Sequence, residues 1–151
     1  MTSSSALASG HIGLNVTDLG RSLPFYADTL GFDVIGEGKE DGRRFAFLGR
    51  DGTLVLTLWQ QAESAFEATR AGLHHLAFEA ASIDEVRAAE ARLKDLGVDF
   101  AHDGVVAHRE DAASGGIFFH DPDGTRLEIY APSGAEEAPA PSAAAPTCGF
   151  F

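Results

Sequence analysis

The chain contains a single cysteine, Cys148, close to its end. An internal disulfide framework and a Cys-rich zinc site are therefore excluded, because both need several cysteines. A bound metal would have to use His and carboxylate ligands. Long apolar runs are also missing: no stretch approaches the ~20 residues of a membrane span, and the start lacks the basic and apolar regions of a signal peptide. We expect a cytoplasmic protein that does not contact membranes.

Positive charge is scarce as well. The sequence has 11 Lys and Arg against 23 Asp and Glu, which gives a formal net charge of -12. Such a charge repels the phosphates of nucleic acids, so we expect no nucleic acid partner. A cationic ligand is the partner that the charge favours, although acidity often serves solubility alone. A length of 151 residues suits one ordinary domain with a sizeable core.

Composition divides the chain into three parts. We expect a flexible N-terminus over residues 1–9, a folded domain over residues 10–131, and a Pro- and Ala-rich tail over residues 132–151. The tail shows neither helical nor strand periodicity, which favours an unstructured end. Its last residues, CGFF, are apolar, and docking on the domain or on a partner is the alternative.

The two halves of the domain share one plan. HIGLNV at His11 aligns with HLAFEA at His75, and each segment precedes a helical stretch that stops at LG. Each half closes with a β-hairpin that contains a DGT triplet. The pattern predicts an α+β fold of two βαβββ modules. The modules span about residues 10–60 and 73–131, and residues 61–72 link them.

Both predicted helices have recognisable N-termini. In the first half, Asp18 or Ser22 can cap the helix. In the second half, Ser82 and Glu85 form an S-x-x-E capping box. The apolar stripe of the second helix comprises Ile83, Val86, Leu93 and Leu96.

Strand alternation places three ligand-type side chains in equivalent positions. His11, His75 and Glu128 all lie on the face that avoids the helices. They can converge if the two sheets curve around a shared cleft. Two imidazoles and a carboxylate form a metal site with open positions, where a substrate with two adjacent oxygens can bind and be polarised. The alternative is that each histidine sits at a strand entrance and pairs with backbone or water.

Further residues are candidates for the same cleft. Strand phase predicts an apolar, partly aromatic substrate wall of Leu56, Leu58, Trp59, Phe118 and Tyr130, a set that would also suit a plain core. His108 and His120 can supply acid–base function near neutral pH, with a solvated loop histidine as the alternative.

Three segments carry a resemblance: HIGLNVTDLGRSLPFYADTLGF, GLHHLAFEA and FFHDPDGTRLEIY. From about Gly10 to Ala131 the chain resembles the vicinal oxygen chelate superfamily, which includes glyoxalase I, extradiol dioxygenases, fosfomycin-resistance enzymes and bleomycin-resistance proteins. The resemblance implies a curved, barrel-like mixed sheet around a metal cleft, and it implies a homodimer. It also implies one divalent metal ion (Fe2+, Mn2+, Zn2+, Ni2+ or Co2+) held by His11, His75 and Glu128.

Departures from the family pattern separate its branches. The DGT alignment matches Glu128 with Leu56, where glyoxalase I members have a carboxylate, which argues against that activity. Extradiol dioxygenases resemble the chain in their three ligands, but they usually carry a Tyr at the position of Phe118 and are about twice as long. Fosfomycin-resistance enzymes need cationic groups that the segment after Glu128 lacks.

Two functions therefore stand. The first is a small metal-dependent enzyme, dioxygenase-like or glyoxalase-like, acting on a small oxygenated, partly apolar substrate. The alternative is a protein similar to bleomycin-resistance proteins, which would sequester a drug or natural product without catalysis. The acidic charge and apolar wall fit a cationic aromatic ligand, whereas the retained metal ligands favour the enzyme.

Overall fold

The chain forms two compact units, Met1–Ser64 and Ala65–Phe151, which we call unit 1 and unit 2. The computed structural model describes residues 4–149 and Phe151. Of the predicted flexible N-terminus, the first three residues lie outside the described residues, and residues 4–9 are exposed and form no helix or strand.

Unit 1 contains one four-stranded mixed sheet. Its strands are β1 (Ile12–Val16), β2 (Asp33–Glu40), β3 (Arg43–Arg50) and β4 (Thr53–Gln60). Their order across the sheet is β1-β4-β3-β2. The first and last strands, β1 and β4, pair in parallel, and the other neighbours are antiparallel.

The helical segment of unit 1 begins with α1 (Leu19–Pro24) and continues as a π-helical turn, Phe25–Thr29. Asp18 is the N-cap, since its side chain accepts a hydrogen bond of 2.9 Å from the N–H of Gly20. Pro24 has no N–H and its ring crowds the preceding turn, so the regular α-helical ladder ends there.

Unit 2 repeats the topology of unit 1. Its strands are β5 (Leu76–Glu79), β6 (Val106–Ala107), β7 (Gly115–His120) and β8 (Arg126–Ala131), and their order is β5-β8-β7-β6. Here β5 and β8 pair in parallel. Helix α2 (Ile83–Asp95) connects β5 to β6. The predicted α+β class and the two βαβββ modules are confirmed.

Helix α2 begins as its sequence predicts. The Ser82 hydroxyl accepts a hydrogen bond from the N–H of Glu85, and the Glu85 carboxylate accepts one from the N–H of Ala81. Val86 and Leu93 are fully buried, but Leu96 follows the last helical residue and is 60% exposed. Leu96 is therefore not part of the buried stripe.

The C-terminal tail packs on unit 2. Ala135 and Thr147 are buried. The N–H of Ala107 donates to the carbonyl of Pro139 at 2.9 Å, and the N–H of Thr147 donates to the carbonyl of His108 at 2.8 Å. Docking on the domain, which was the alternative to an unstructured end, is what the structure shows. Of the CGFF residues, Phe150 lies outside the described residues.

Within residues 4–149 and 151, no helix combines the length and apolar character needed to cross a bilayer.

Gly116 gives a test of the unit 2 sheet. A Cβ at this residue would collide with the backbone carbonyl of Ile129 and would lie 2.6 Å from the Cα of Tyr130. Because backbone atoms cannot move aside cheaply, we expect Gly116→Ala to lower the free energy of unfolding by about 1–3 kcal/mol, measured by urea denaturation. In the control Gly36→Ala, the new Cβ meets only Phe47 at an ordinary 3.5 Å. Equal stability losses in the two variants would contradict the register of β7 and β8.

Candidate functional site

The pairing of β5 with β8 decides which side chains of unit 2 share a face. Ala77 lies opposite Glu128 in the parallel ladder, and Phe118 of β7 lies opposite Glu128 on its other side. His75 precedes Ala77 by two residues, so alternation puts it on the same face. Tyr130 follows Glu128 by two residues and shares that face as well. Strand register thus groups four predicted residues of unit 2.

His75 and Glu128 form the centre of this face. The Nε2 atom of His75 lies 3.7 Å from the Oε1 atom of Glu128. The Glu128 side chain is only 4% exposed and that of His75 is 22% exposed. The other ring nitrogen of His75, Nδ1, lies 2.8 Å from Nδ1 of His74, so one of these rings donates and the other accepts. Nε2 of His75 and Oε1 of Glu128 are therefore the atoms available to a ligand.

His108 holds the second oxygen of Glu128. Its Nε2 lies 2.9 Å from Glu128 Oε2, and its Nδ1 lies 2.8 Å from the Ser114 hydroxyl. An ionised carboxylate only accepts hydrogen bonds, so the Nε2–H of His108 donates to it. In the neutral ring, Nδ1 of His108 then accepts a hydrogen bond from the Ser114 hydroxyl. The structure thus brings His108 into direct contact with the predicted ligand Glu128, while its acid–base role stays a prediction.

His120 is held differently. Its Nδ1 lies 3.3 Å from the carboxylate of Asp99, an exposed side chain, and 3.3 Å from the carbonyl of the same residue. The His120 ring therefore contacts the loop that contains Asp99. Its predicted acid–base role is not tested by this contact.

Burial controls the ionisation of the site. Burial lowers the pKa of the His75 imidazole, the Glu128 carboxylate opposes this shift, and His74 supports it. The neutral imidazole that results is the form that binds a metal ion. Burial also raises the pKa of the Tyr130 phenol, together with the charges of Glu79 and Glu128. Tyr130 therefore stays protonated over the physiological range.

In unit 1, His11 is exposed and lies one residue before β1. Register pairs Ile12 with Leu56 and Leu14 with Leu58. Leu56 and Leu58 are fully buried, on the face that carries Leu14 rather than on the face of His11. Both leucines pack in the core of the described structure, and their substrate role stays a prediction. Trp59 lies on the His11 face, and its substrate role stays a prediction.

The counterpart of Glu128 in unit 1 is Thr57, not Leu56. Gly13 of β1 lies opposite Thr57, as Ala77 of β5 lies opposite Glu128. The ladder between β3 and β4 skips a residue of β4, whereas β7 and β8 pair without a break. Because of this bulge, an alignment of the two units that starts from their DGT triplets is wrong by one residue beyond it. Thr57 is not a carboxylate either, and its hydroxyl accepts a hydrogen bond of 2.9 Å from the indole N–H of Trp59.

Sequence reasoning missed two aromatic residues of unit 1. Phe45 and Phe47 pack with Trp59 at ring-centroid distances of 5.3 and 6.0 Å. Phe47 lies opposite Thr57, as Phe118 lies opposite Glu128. The two phenylalanines stand two residues apart in RFAFLG, and this spacing was the signal that could have placed them on one face of a strand.

The donor set of unit 2 fits a divalent cation in part. A neutral imidazole and a carboxylate are ligands that first-row metals accept. Within residues 4–149 and 151, however, no group of three or more His, Cys, Asp or Glu side chains is arranged to hold a metal ion. The three-ligand set of His11, His75 and Glu128 therefore stays a prediction.

With this geometry in view, comparison with known proteins decides the family. A family model, the glyoxalase/bleomycin resistance protein/dioxygenase superfamily, matches residues 8–129. The chain belongs to this superfamily. The family resemblance found in the sequence is confirmed.

Individual members agree with this assignment. The chain is 34% identical over 125 residues to a catechol-2,3-dioxygenase of Bacillus subtilis (strain 168). The matched region covers 81% of this chain and 40% of that enzyme. The chain thus spans less than half the length of that relative. A glyoxylase/bleomycin resistance protein/dioxygenase domain from Frankia sp. EAN1pec superposes with a TM-score of 0.73 at 27% identity, covering 84% of this chain and 98% of that one.

A fosfomycin resistance protein, FosX from Listeria monocytogenes complexed with Mn(II) and sulfate, superposes with a TM-score of 0.63. The match covers 87% of this chain and 98% of that protein. At 22% identity it shows the shared fold alone.

His102 yields a pH prediction outside the proposed ligand set. Its ring packs against Phe118 at 5.4 Å, and among the described residues no partner lies within hydrogen-bonding distance of its buried Nε2. Burial lowers its pKa from the ordinary 6.5. As the pH falls below 6.5, the unfolded chain therefore binds this proton more readily than the folded chain does, so the free energy of unfolding decreases.

We expect His102→Gln to flatten the fall in unfolding free energy between about pH 7 and pH 5.5, measured by urea denaturation at each pH. His11→Gln, which changes an exposed histidine of unit 1, is the control, and all proteins are measured free of metal because His11 is a predicted ligand. Parallel stability curves for wild type and His102→Gln would show that His102 is not held neutral by burial.

Proposed function

We propose that the protein is a small metal-dependent enzyme that binds a small oxygenated, partly apolar substrate through a divalent metal ion. His75 and Glu128 supply two ligands, and His11 is the predicted third. The observation that carries this proposal is the pair formed in unit 2 by the half-buried His75 and the buried Glu128, with His75 Nε2 3.7 Å from Glu128 Oε1 on one face of the sheet. The metal is Fe2+, Mn2+, Zn2+, Ni2+ or Co2+.

A cation held there supplies Lewis acidity to adjacent oxygens of a substrate. The chain's own groups prepare the site for it. His108 fixes the Glu128 carboxylate through its Nε2–H, and Ser114 fixes His108 in turn. Phe118 is fully buried beside Glu128 and keeps water from that side. His108 also holds a proton next to the site, which suits the acid–base role predicted for it.

Dioxygenase-like chemistry is favoured over glyoxalase-like chemistry. The unit 1 counterpart of Glu128 is Thr57, which cannot serve as a carboxylate ligand or base. Similarity to a catechol-2,3-dioxygenase supports the same choice, although the chain spans 40% of that enzyme. Phe118 stands where extradiol dioxygenases usually have a Tyr, so His108 would have to supply the acid–base function.

Glu128→Gln tests the metal site. The substitution keeps the size of the side chain and its contact with His108 but removes the charge that binds a cation. We expect wild type purified without chelator to contain about one equivalent of a transition metal by elemental analysis, and Glu128→Gln to lose at least about nine tenths of it.

The matched control is Glu79→Gln, an exposed carboxylate on the same strand face, which should keep its metal. Stoichiometric metal in the Glu128→Gln protein would refute the ligand assignment.

Sequestration without catalysis is the second candidate. The cluster of Phe45, Phe47 and Trp59 in unit 1 offers an aromatic surface, and the net charge of -12 favours a cationic partner. Tight binding of a cationic aromatic drug to metal-free protein would favour this function. Loss of all ligand binding after chelation would favour the enzyme.

We propose further that the protein works as a cytoplasmic homodimer with two equivalent sites. Members of this superfamily commonly pair their modules between chains, and the apolar side chains of Val34 and Ile35 on edge strand β2 are exposed. Light scattering at micromolar concentration should give twice the chain mass of 15.9 kDa. A mass of one chain would contradict the dimer.

A further inference from the structure

The ring of Phe151 lies within the candidate site of unit 2. Its centroid is 5.2 Å from that of Phe118, at an edge-to-face angle of 70°. It lies 5.6 Å from the centroid of His75, tilted by 33°, and 6.0 Å from that of His120, at 77°. Phe151 thus contacts three rings of unit 2, and its pairs with Phe118 and His120 have the edge-to-face geometry that aromatic rings favour.

Arg126 contacts both the ring and the backbone of this residue. The Cζ atom of Arg126 lies 5.6 Å from the Phe151 ring centroid, within the range of a cation–π contact. Its Nη2 also donates to the Phe151 carbonyl oxygen at 3.5 Å, a long hydrogen bond. The Arg126 guanidinium thus contacts both the aromatic ring and the carbonyl oxygen of Phe151.

The tail reaches this position because it is anchored just before it. Thr147 is fully buried, its N–H donates to the His108 carbonyl, and its hydroxyl donates to the Ala107 carbonyl. A short 3-10 turn, Thr147–Gly149, begins at this anchor. The anchor lies beside His108, which itself holds Glu128, so the tail is fixed to the same part of unit 2 as the site.

We propose that this position is a binding subsite for an aromatic ring linked through a short chain to a carbonyl group, and that Phe151 fills it from within the chain until such a ligand displaces it. Phe118, His75 and His120 hold the ring, and Arg126 holds the carbonyl oxygen. The subsite adjoins the proposed ligands His75 and Glu128, so a displacing molecule would carry its ring next to the metal position. In this respect alone the inference rests on the proposed function.

The ligand class follows from the groups that Phe151 presents. The probe 3-phenylpropanamide reproduces its ring, its connecting carbons and its carbonyl group. An internal occupant that fills a subsite about nine tenths of the time weakens a competing ligand about tenfold. We therefore expect metal-free Phe151→Ala protein to bind 3-phenylpropanamide about tenfold more tightly than wild type in titration calorimetry.

Two further variants and one ligand analogue serve as controls for this measurement. Cys148→Ala changes the same tail without removing the ring, and its affinity should match wild type. Arg126→Ala, made in the Phe151→Ala protein, should lose most of the gained affinity. The saturated analogue 3-cyclohexylpropanamide should bind the Phe151→Ala protein more weakly than the aromatic probe, because it has no π face for Arg126.

A second readout tracks Phe151 directly. In protein labelled at its Phe rings, nuclear Overhauser contacts between Phe151 and Phe118 should be present without ligand and disappear when 3-phenylpropanamide saturates the wild type. Equal affinities of wild type and Phe151→Ala, no binding to Phe151→Ala, or contacts that persist at saturation would each overturn the proposal. Since every step uses metal-free protein, failure of the subsite and failure of the metal site are distinguishable.

Discussion

Parallel pairing between the first and last strand of each unit controls which side chains share a face of its sheet. In unit 2 this pairing sets Ala77 beside Glu128, which brings His75 and the carboxylate to one side of the sheet. Leu127 and Ile129 then point to the other side, where they are buried. A slip of one residue would exchange the two sets and bury the wrong face.

The same pairing explains why the two units, although alike in topology, differ in chemistry. In unit 2 the position opposite Ala77 holds a buried carboxylate that His108 and Ser114 support. In unit 1 the equivalent position holds Thr57, whose hydroxyl is taken by the Trp59 indole. Unit 1 therefore presents one exposed histidine and an aromatic cluster, and unit 2 presents the buried polar centre. Two units of the same topology thus differ in the polarity of this face because few residues differ between them.

Strand periodicity predicted which strand residues of unit 2 share a face, but it did not predict the contacts that the loop and the tail make with them. The common face of His75, Phe118, Glu128 and Tyr130 follows from alternation, because β5, β7 and β8 are regular. Leu56 was matched to Glu128 wrongly, because the DGT triplets look alike while a bulge in β4 shifts the residues after it by one position. Nothing in the local pattern shows that His108 bonds to Glu128, since this contact depends on how the loop after β6 folds back. The position of Phe151 could not be predicted for a similar reason. The tail has no periodicity that indicates where it docks, and its anchor at Thr147 depends on long-range hydrogen bonds.

We propose above all that imidazole and carboxylate groups of this chain bind a divalent metal ion. X-ray absorption at the cobalt edge of Co2+-loaded protein reports the ligands themselves, without knowledge of the substrate. We expect scattering from two imidazoles and a carboxylate in wild type, and from one imidazole fewer in each of the variants His75→Ala and His11→Ala. A cobalt spectrum without imidazole scattering, or one that neither substitution changes, would contradict it.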